Sequence, residues 1–125
     1  MEKEFVPYEL AVKLKAIGFD EECFGYYHVN VGYTKGYAFC YFDKPKRFKD
    51  GFDLLAPTFS QAFRWFREKC GLNSHIHQEN RDEYSYCCGQ GYSDEIGGYR
   101  GFETYEEAEL ACLTKLIEIV ETRTK

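Results

Sequence analysis

The chain has 125 residues and a formal charge of −5, which suits one domain burying roughly two-thirds of its unfolded surface. The acidic balance, with a pI near 5.2, argues against nucleic acid as a general partner, because duplex binding draws its affinity from an excess of Lys and Arg. Hydrophobic residues at 44% and charged residues at 30% are ordinary globular values that argue against a disordered chain, and no run approaches the roughly 20 apolar residues of a membrane span.

The elements begin with a helix over Pro7–Ile17, where Leu10, Ala11, Leu14 and Ile17 form a stripe at helical spacing and Gly18 supplies a stop. The β-prone runs Phe24–Val31 and Tyr37–Phe42 bracket a glycine-bounded loop and read as an antiparallel hairpin. Residues 43–53, interrupted by Pro45 and Gly51, read as a loop. A second helix is expected over Phe59–Cys70, with Phe59, Ala62, Phe63, Phe66 and Cys70 on one face and Gly71 after it. A second hairpin follows, with strands near Leu72–His77 and Tyr84–Cys88 around the turn-prone Asn80-Arg81-Asp82. The glycine-rich stretch 89–101 reads as a loop with a short edge strand near Tyr99–Phe102, and a third helix runs from Tyr105 to about Glu121.

One phrase marks all three helix starts: Pro7-Tyr8-Glu9-Leu10-Ala11, Thr58-Phe59-Ser60-Gln61-Ala62 and Thr104-Tyr105-Glu106-Glu107-Ala108. Thr followed three residues later by Gln or Glu is the capping box, which satisfies orphan first-turn amides. Pro suits a first helical position because its missing N–H is not needed there. The expected fold is therefore a single α+β domain over 1–125, in the order α-β-β-α-β-β-α, with an antiparallel sheet of four or five strands and three helices. Two α-β-β units in tandem are compatible with a degenerate duplication. In the third helix the apolar residues sweep an arc of roughly 200°, wider than the ~100° stripe of a surface helix. Such a helix needs cover on two sides, from its own chain or from a second copy, so a homodimer is one expected state. Glu109 falls inside that arc.

Chemical motifs are sparse. His75 and His77 lie two apart on an expected strand and share a face; with the hairpin pairing around Asn80-Arg81 they sit opposite Tyr86 and Tyr84. A metal ion needs a further ligand, such as Cys88 or His28. No CxxC, HxxxH or HExxH spacing exists, so neither metal nor cofactor is assigned. Cys87 and Cys88 point to opposite faces of a strand. The one dense basic run is Lys44-Pro45-Lys46-Arg47-Phe48-Lys49, and Lys44, Lys46, Arg47 and Lys49 on a loop suit an anionic ligand or an acidic surface. Strand tyrosines, including Tyr33, Tyr37, Tyr84 and Tyr86, offer rings with polar tips that suit a binding face. The glycines before the third helix lack a G-x-G-x-x-G pattern, and Glu106 and Glu107 would repel phosphate there. No Ser-His-Asp or paired-carboxylate signature appears, so an enzyme is not the expectation. Six cysteines beside an opening Met1-Glu2-Lys3-Glu4-Phe5 without an apolar leader run point to a reducing, cytoplasmic setting.

The stretches Ala56-Pro57-Thr58-Phe59-Ser60-Gln61-Ala62-Phe63-Arg64-Trp65-Phe66-Arg67-Glu68-Lys69 and Phe102-Glu103-Thr104-Tyr105-Glu106-Glu107-Ala108-Glu109-Leu110-Ala111-Cys112-Leu113 are helix signatures. With Phe5-Val6-Pro7-Tyr8-Glu9-Leu10-Ala11, they resemble a family of small uncharacterised proteins in phages and prophages of gut Bacteroidales. From the second helix onward the pattern is also similar to small phage α/β sandwich domains. The resemblance implies an accessory phage or mobile-element protein in a bacterial cytoplasm, and carries over no catalytic residue. The expected function is non-enzymatic binding of a protein partner or of a second copy; the alternative is sequestering a small anionic ligand such as a nucleotide.

Overall fold

The computed structural model describes residues 2–30, 36–46, 53–90 and 94–123. A 3-10 turn at Glu2–Glu4 precedes α1 (Tyr8–Ala16), β1 (Cys23–Asn30), β2 (Gly36–Lys46), β3 (Asp53–Ala56), α2 (Phe59–Lys69), β4 (Leu72–Asn80), β5 (Glu83–Gln90), β6 (Asp94–Phe102) and α3 (Tyr105–Arg123). The fold is α+β, with three helices and antiparallel hairpins in the expected order and one further strand in each half. The chain divides into two compact units, Met1–Gln61 and Ala62–Lys125.

The strands do not form the expected single sheet of four or five. They form two three-stranded sheets, ordered β2-β1-β3 and β4-β5-β6. β3 begins at the last residue of the stretch expected as a loop, and β6 contains the short edge strand expected near Tyr99–Phe102 but begins at Asp94, within the glycine-rich stretch expected as a loop. Asp53–Ala56 is too short to show a period, yet Leu54 and Leu55 pair with Tyr27 and Tyr26 of β1. The run Asp94–Phe102 carries Gly97, Gly98 and Gly101, a composition of low strand propensity; pairing with β5 overrides it. The two sheets also differ in topology, the first strand being central in one and the second strand central in the other. A shared helix phrase therefore does not extend to a shared strand plan.

Helix ends follow local chemistry. Pro7 occupies the N-cap of α1 rather than its first helical position, and its carbonyl accepts from the Ala11 amide at 2.9 Å. At the other end Gly18, with φ of 107°, allows a Schellman closure: the Phe19 amide donates to Leu14 O at 2.9 Å and the Gly18 amide to Lys15 O at 3.2 Å. Leu14 and Phe19, the positions where that motif carries an apolar contact, are both buried. Thr58 Oγ1 accepts from the Gln61 amide and Thr104 Oγ1 from the Glu107 amide, each at 3.1 Å. The reciprocal half of each box departs from the simple pattern. Glu107 Oε2 accepts from the amide of Glu103, one residue before the cap. The Gln61 side chain instead donates to Glu22 O at 2.7 Å, tying the start of α2 to the segment before β1.

In the first unit, Phe5, Val6, Leu10, Leu14, Tyr27 and Leu54 are among the buried side chains. The Phe5-Val6 segment runs beside Pro57-Thr58, with the Val6 amide donating to Pro57 O at 2.9 Å. Tyr27 donates its hydroxyl to Val6 O at 2.7 Å, so its buried polar tip is satisfied. The rings of Phe5 and Phe39 lie 4.9 Å apart and those of Tyr27 and Phe39 5.5 Å apart. Gly25 has no room for a side chain: a Cβ there would stand 2.7 Å from Phe5 Cδ1 and 3.0 Å from Ala56 O.

In the second unit, α3 buries Ala108, Cys112, Leu113, Leu116, Ile117 and Val120, and it lies against all three strands of its sheet. The broad apolar arc is thus largely covered, while Leu110 stays 39% exposed. On α2 the buried side chains are Phe59, Ala62, Trp65 and Phe66, so Trp65 takes the place expected of Phe63, which is half-buried. Glu109 is half-buried, and burial together with the Glu106 carboxylate raises its pKa. Among the described residues no helix is long and apolar enough to cross a membrane.

Two measurements check these contacts. Gly25→Ala should destabilise by about 1–3 kcal/mol, since the added methyl meets a buried ring and a backbone oxygen; urea denaturation reads this directly. Glu109 binds its proton more tightly folded than unfolded, so its ionised form costs stability at neutral pH and nothing below the ordinary carboxyl pKa of about 4.3. Glu109→Gln should therefore raise Tm at neutral pH, with the gain vanishing near about pH 3.

Candidate functional site

The β4–β5 hairpin positions most of the chemistry. Its turn is built by Asn80, whose Oδ1 accepts from the Asp82 amide at 3.0 Å while its Nδ2 donates to Glu83 Oε1 at 3.0 Å. Asn80 pairs with Glu83, the register shifts between Gln78 and Asn80, and beyond that shift Gln78 pairs with Tyr84. His77 therefore faces Ser85 and His75 faces Cys87. The expected pairing with Tyr84 and Tyr86 is off by one residue, and one residue reverses the face of every side chain on β5.

Two faces result. Tyr86 and Cys88 point toward α3, and Tyr86 lines a groove against it. His75, His77, Ser85 and Cys87 share the opposite face. There the His75 and His77 rings lie 4.6 Å apart, edge to face at 79°. The ligand atoms of His75, His77 and Cys87 all lie within 4.8 Å of one another, the two imidazoles exposed and the thiol half-buried. Among the described residues this is the one group of three or more His, Cys, Asp or Glu side chains close enough to share an ion. Beside it, Ser85 Oγ donates to Glu79 Oε1 at 2.6 Å, and Arg100 approaches Glu79 at 3.8 Å and Glu83 at 3.5 Å.

The groove on the α3 side holds about 520 Å³ and is lined by Tyr86, Tyr99, Phe102, Leu110 and Ala111, with Glu107, Thr114, Lys115 and Glu118 along the helix. Its rings form a cluster: Tyr86 stands 6.0 Å from Tyr99 and 5.9 Å from Phe102. Tyr99 is 64% exposed although its ring belongs to this cluster. Burial pushes the Tyr86 hydroxyl up to about 12, so it stays protonated and serves as a wall.

The remaining candidates lie on other elements or outside the described residues. Lys44 is exposed on β2, Lys46 is the last residue of that strand, and Arg47 and Lys49 lie outside the described residues. Tyr33 also lies outside them, and Tyr37 is placed on β2 opposite Val29. Tyr84 is half-buried with its ring 6.2 Å from that of Tyr105. Cys88 does not join the histidine pair; the third group is Cys87, and His28 belongs to the other unit. The cue in the sequence is a His-x-His run followed by a cysteine on the returning strand, but reading it requires a register that the bulge hides.

All six cysteines are thiols. Burial pushes Cys23 and Cys112 each up to about 12, Cys23 with help from the Glu21 carboxylate and Cys112 from the neighbouring Cys88. These two are core groups and poor nucleophiles. No family model, curated protein or solved structure matches the chain. With iodoacetamide at about pH 8, native Cys23 and Cys112 should react at least about tenfold more slowly than in urea, while Cys40 and Cys87 label first; peptide mass spectrometry reads the order.

Proposed function

We propose that the protein is a non-enzymatic accessory module, of the phage type its helix signatures imply, that works by pairing with a second copy through the exposed face of α3. The observation that carries this reading is the arrangement around Ala111. Glu107 lies four residues before it and Lys115 four after, with Leu110 exposed beside it and Tyr99 flanking the groove. Four residues are about 6 Å of helix. Two α3 helices crossing antiparallel on a twofold axis at Ala111 place each Glu107 opposite the other copy's Lys115, while the small alanine lets the helices approach. A twofold interface requires this self-complementarity, the same patch serving both sides. Exposed Leu110 and Tyr99 supply apolar area for the centre, and Tyr suits such a position because it buries a rigid ring while keeping a polar tip.

Sedimentation equilibrium at about 100 µM, well above a micromolar Kd, tests the reading. The expected result is a dimer that Lys115→Glu dissociates by like-charge repulsion and that the double swap Glu107→Lys with Lys115→Glu restores. A monomeric wild-type protein at that concentration overturns it.

A further inference from the structure

On the face of the second sheet opposite the groove, His75, His77 and Cys87 have a geometry that helix-face pairing does not use. We infer that these three side chains form a binding site for a zinc-class divalent cation, with two imidazole nitrogens and one thiolate as protein ligands and a remaining position open to solvent. Three lines on the molecule carry this.

The donor set comes first. Imidazole and thiolate together select borderline-soft first-row cations, and magnesium or calcium would require oxygen ligands that this trio lacks. Three protein ligands with a fourth position left open is the arrangement of zinc sites that bind an exchangeable group.

Geometry is second. With Zn–N near 2.0–2.1 Å and Zn–S near 2.3 Å, a tetrahedral ion holds its ligand atoms about 3.3–3.6 Å apart. The three donor atoms already fall within 4.8 Å of one another, so closure asks for about 1 Å of movement. Both imidazoles are exposed, and rotation about their side-chain torsions supplies that movement without shifting the backbone.

The support is third. His75 and His77 stand on the same face of one strand, and Cys87 is the direct cross-strand partner of His75. Cys87 sits on β5, the central strand, hydrogen-bonded on both sides. Its partner across β6 is Gly98, which is exposed and has no side chain to cover the sulfur. A ligand on the central strand moves little, so two exposed histidines close on one fixed thiolate.

Cobalt(II) is the probe, because a thiolate–cobalt bond gives a near-ultraviolet charge-transfer band that imidazole ligation alone does not. The full chain, kept reduced with a phosphine, is titrated with cobalt and then with zinc. The expected result is a saturable one-to-one band at micromolar cobalt that zinc abolishes. Cys87→Ser should remove the band while leaving the far-ultraviolet circular dichroism unchanged. The double variant His75→Gln with His77→Gln should weaken cobalt binding at least about tenfold with the fold likewise intact. A band that persists in Cys87→Ser would assign the ion to another cysteine and overturn the site. So would the absence of a saturable band at about 100 µM cobalt, roughly a hundredfold above a micromolar Kd.

Discussion

The alternation of side chains along β5 is the constraint on which the second unit depends. Tyr86 and Cys88 turn toward α3 and join its buried face, while Ser85 and Cys87 turn the other way toward His77 and His75. Because the period of a strand is two, these assignments stand or fall together. The irregularity at Glu79, between the two halves of the ladder, selects one of the two possible arrangements. Had the ladder run from Asn80 without it, the histidines would face Cys88 and Tyr86, and the aromatic wall of the groove would be wet.

Helix boundaries and the α+β class are legible in the chain because they are set by local chemistry. Thr58 and Thr104 cap their helices through their own side chains, and Gly18 and Gly71 take positive φ where a helix must stop. What escapes a sequence reading is what depends on distant partners. Nothing in Asp53–Ala56 distinguishes a strand from a loop until β1 is present to pair with it. The glycines of β6 have poor strand propensity, and only the ladder to β5 holds them extended. For the same reason one sheet cannot be told from two by counting β-prone runs.

The site was partly visible on the same terms. The shared face of His75 and His77 follows from their spacing alone, but the identity of their neighbour turns on a one-residue offset that no pattern in 78–83 reveals. The tyrosines divide, Tyr27 and Tyr86 serving as buried core rings while Tyr41 and Tyr99 remain exposed.

The difference between the two sheet orders reaches into how each forms. In the second, neighbouring strands follow one another along the chain, and the ladder from Asn80–Glu83 outward can close like a zip with little loop entropy to overcome. The first places β1 between β2 and β3, so Gly25 meets Ala56 only after the whole intervening chain has been gathered. Contacts of long sequence separation slow a search. The N-terminal half thus holds the ladder of longer sequence separation, along its edge toward β3.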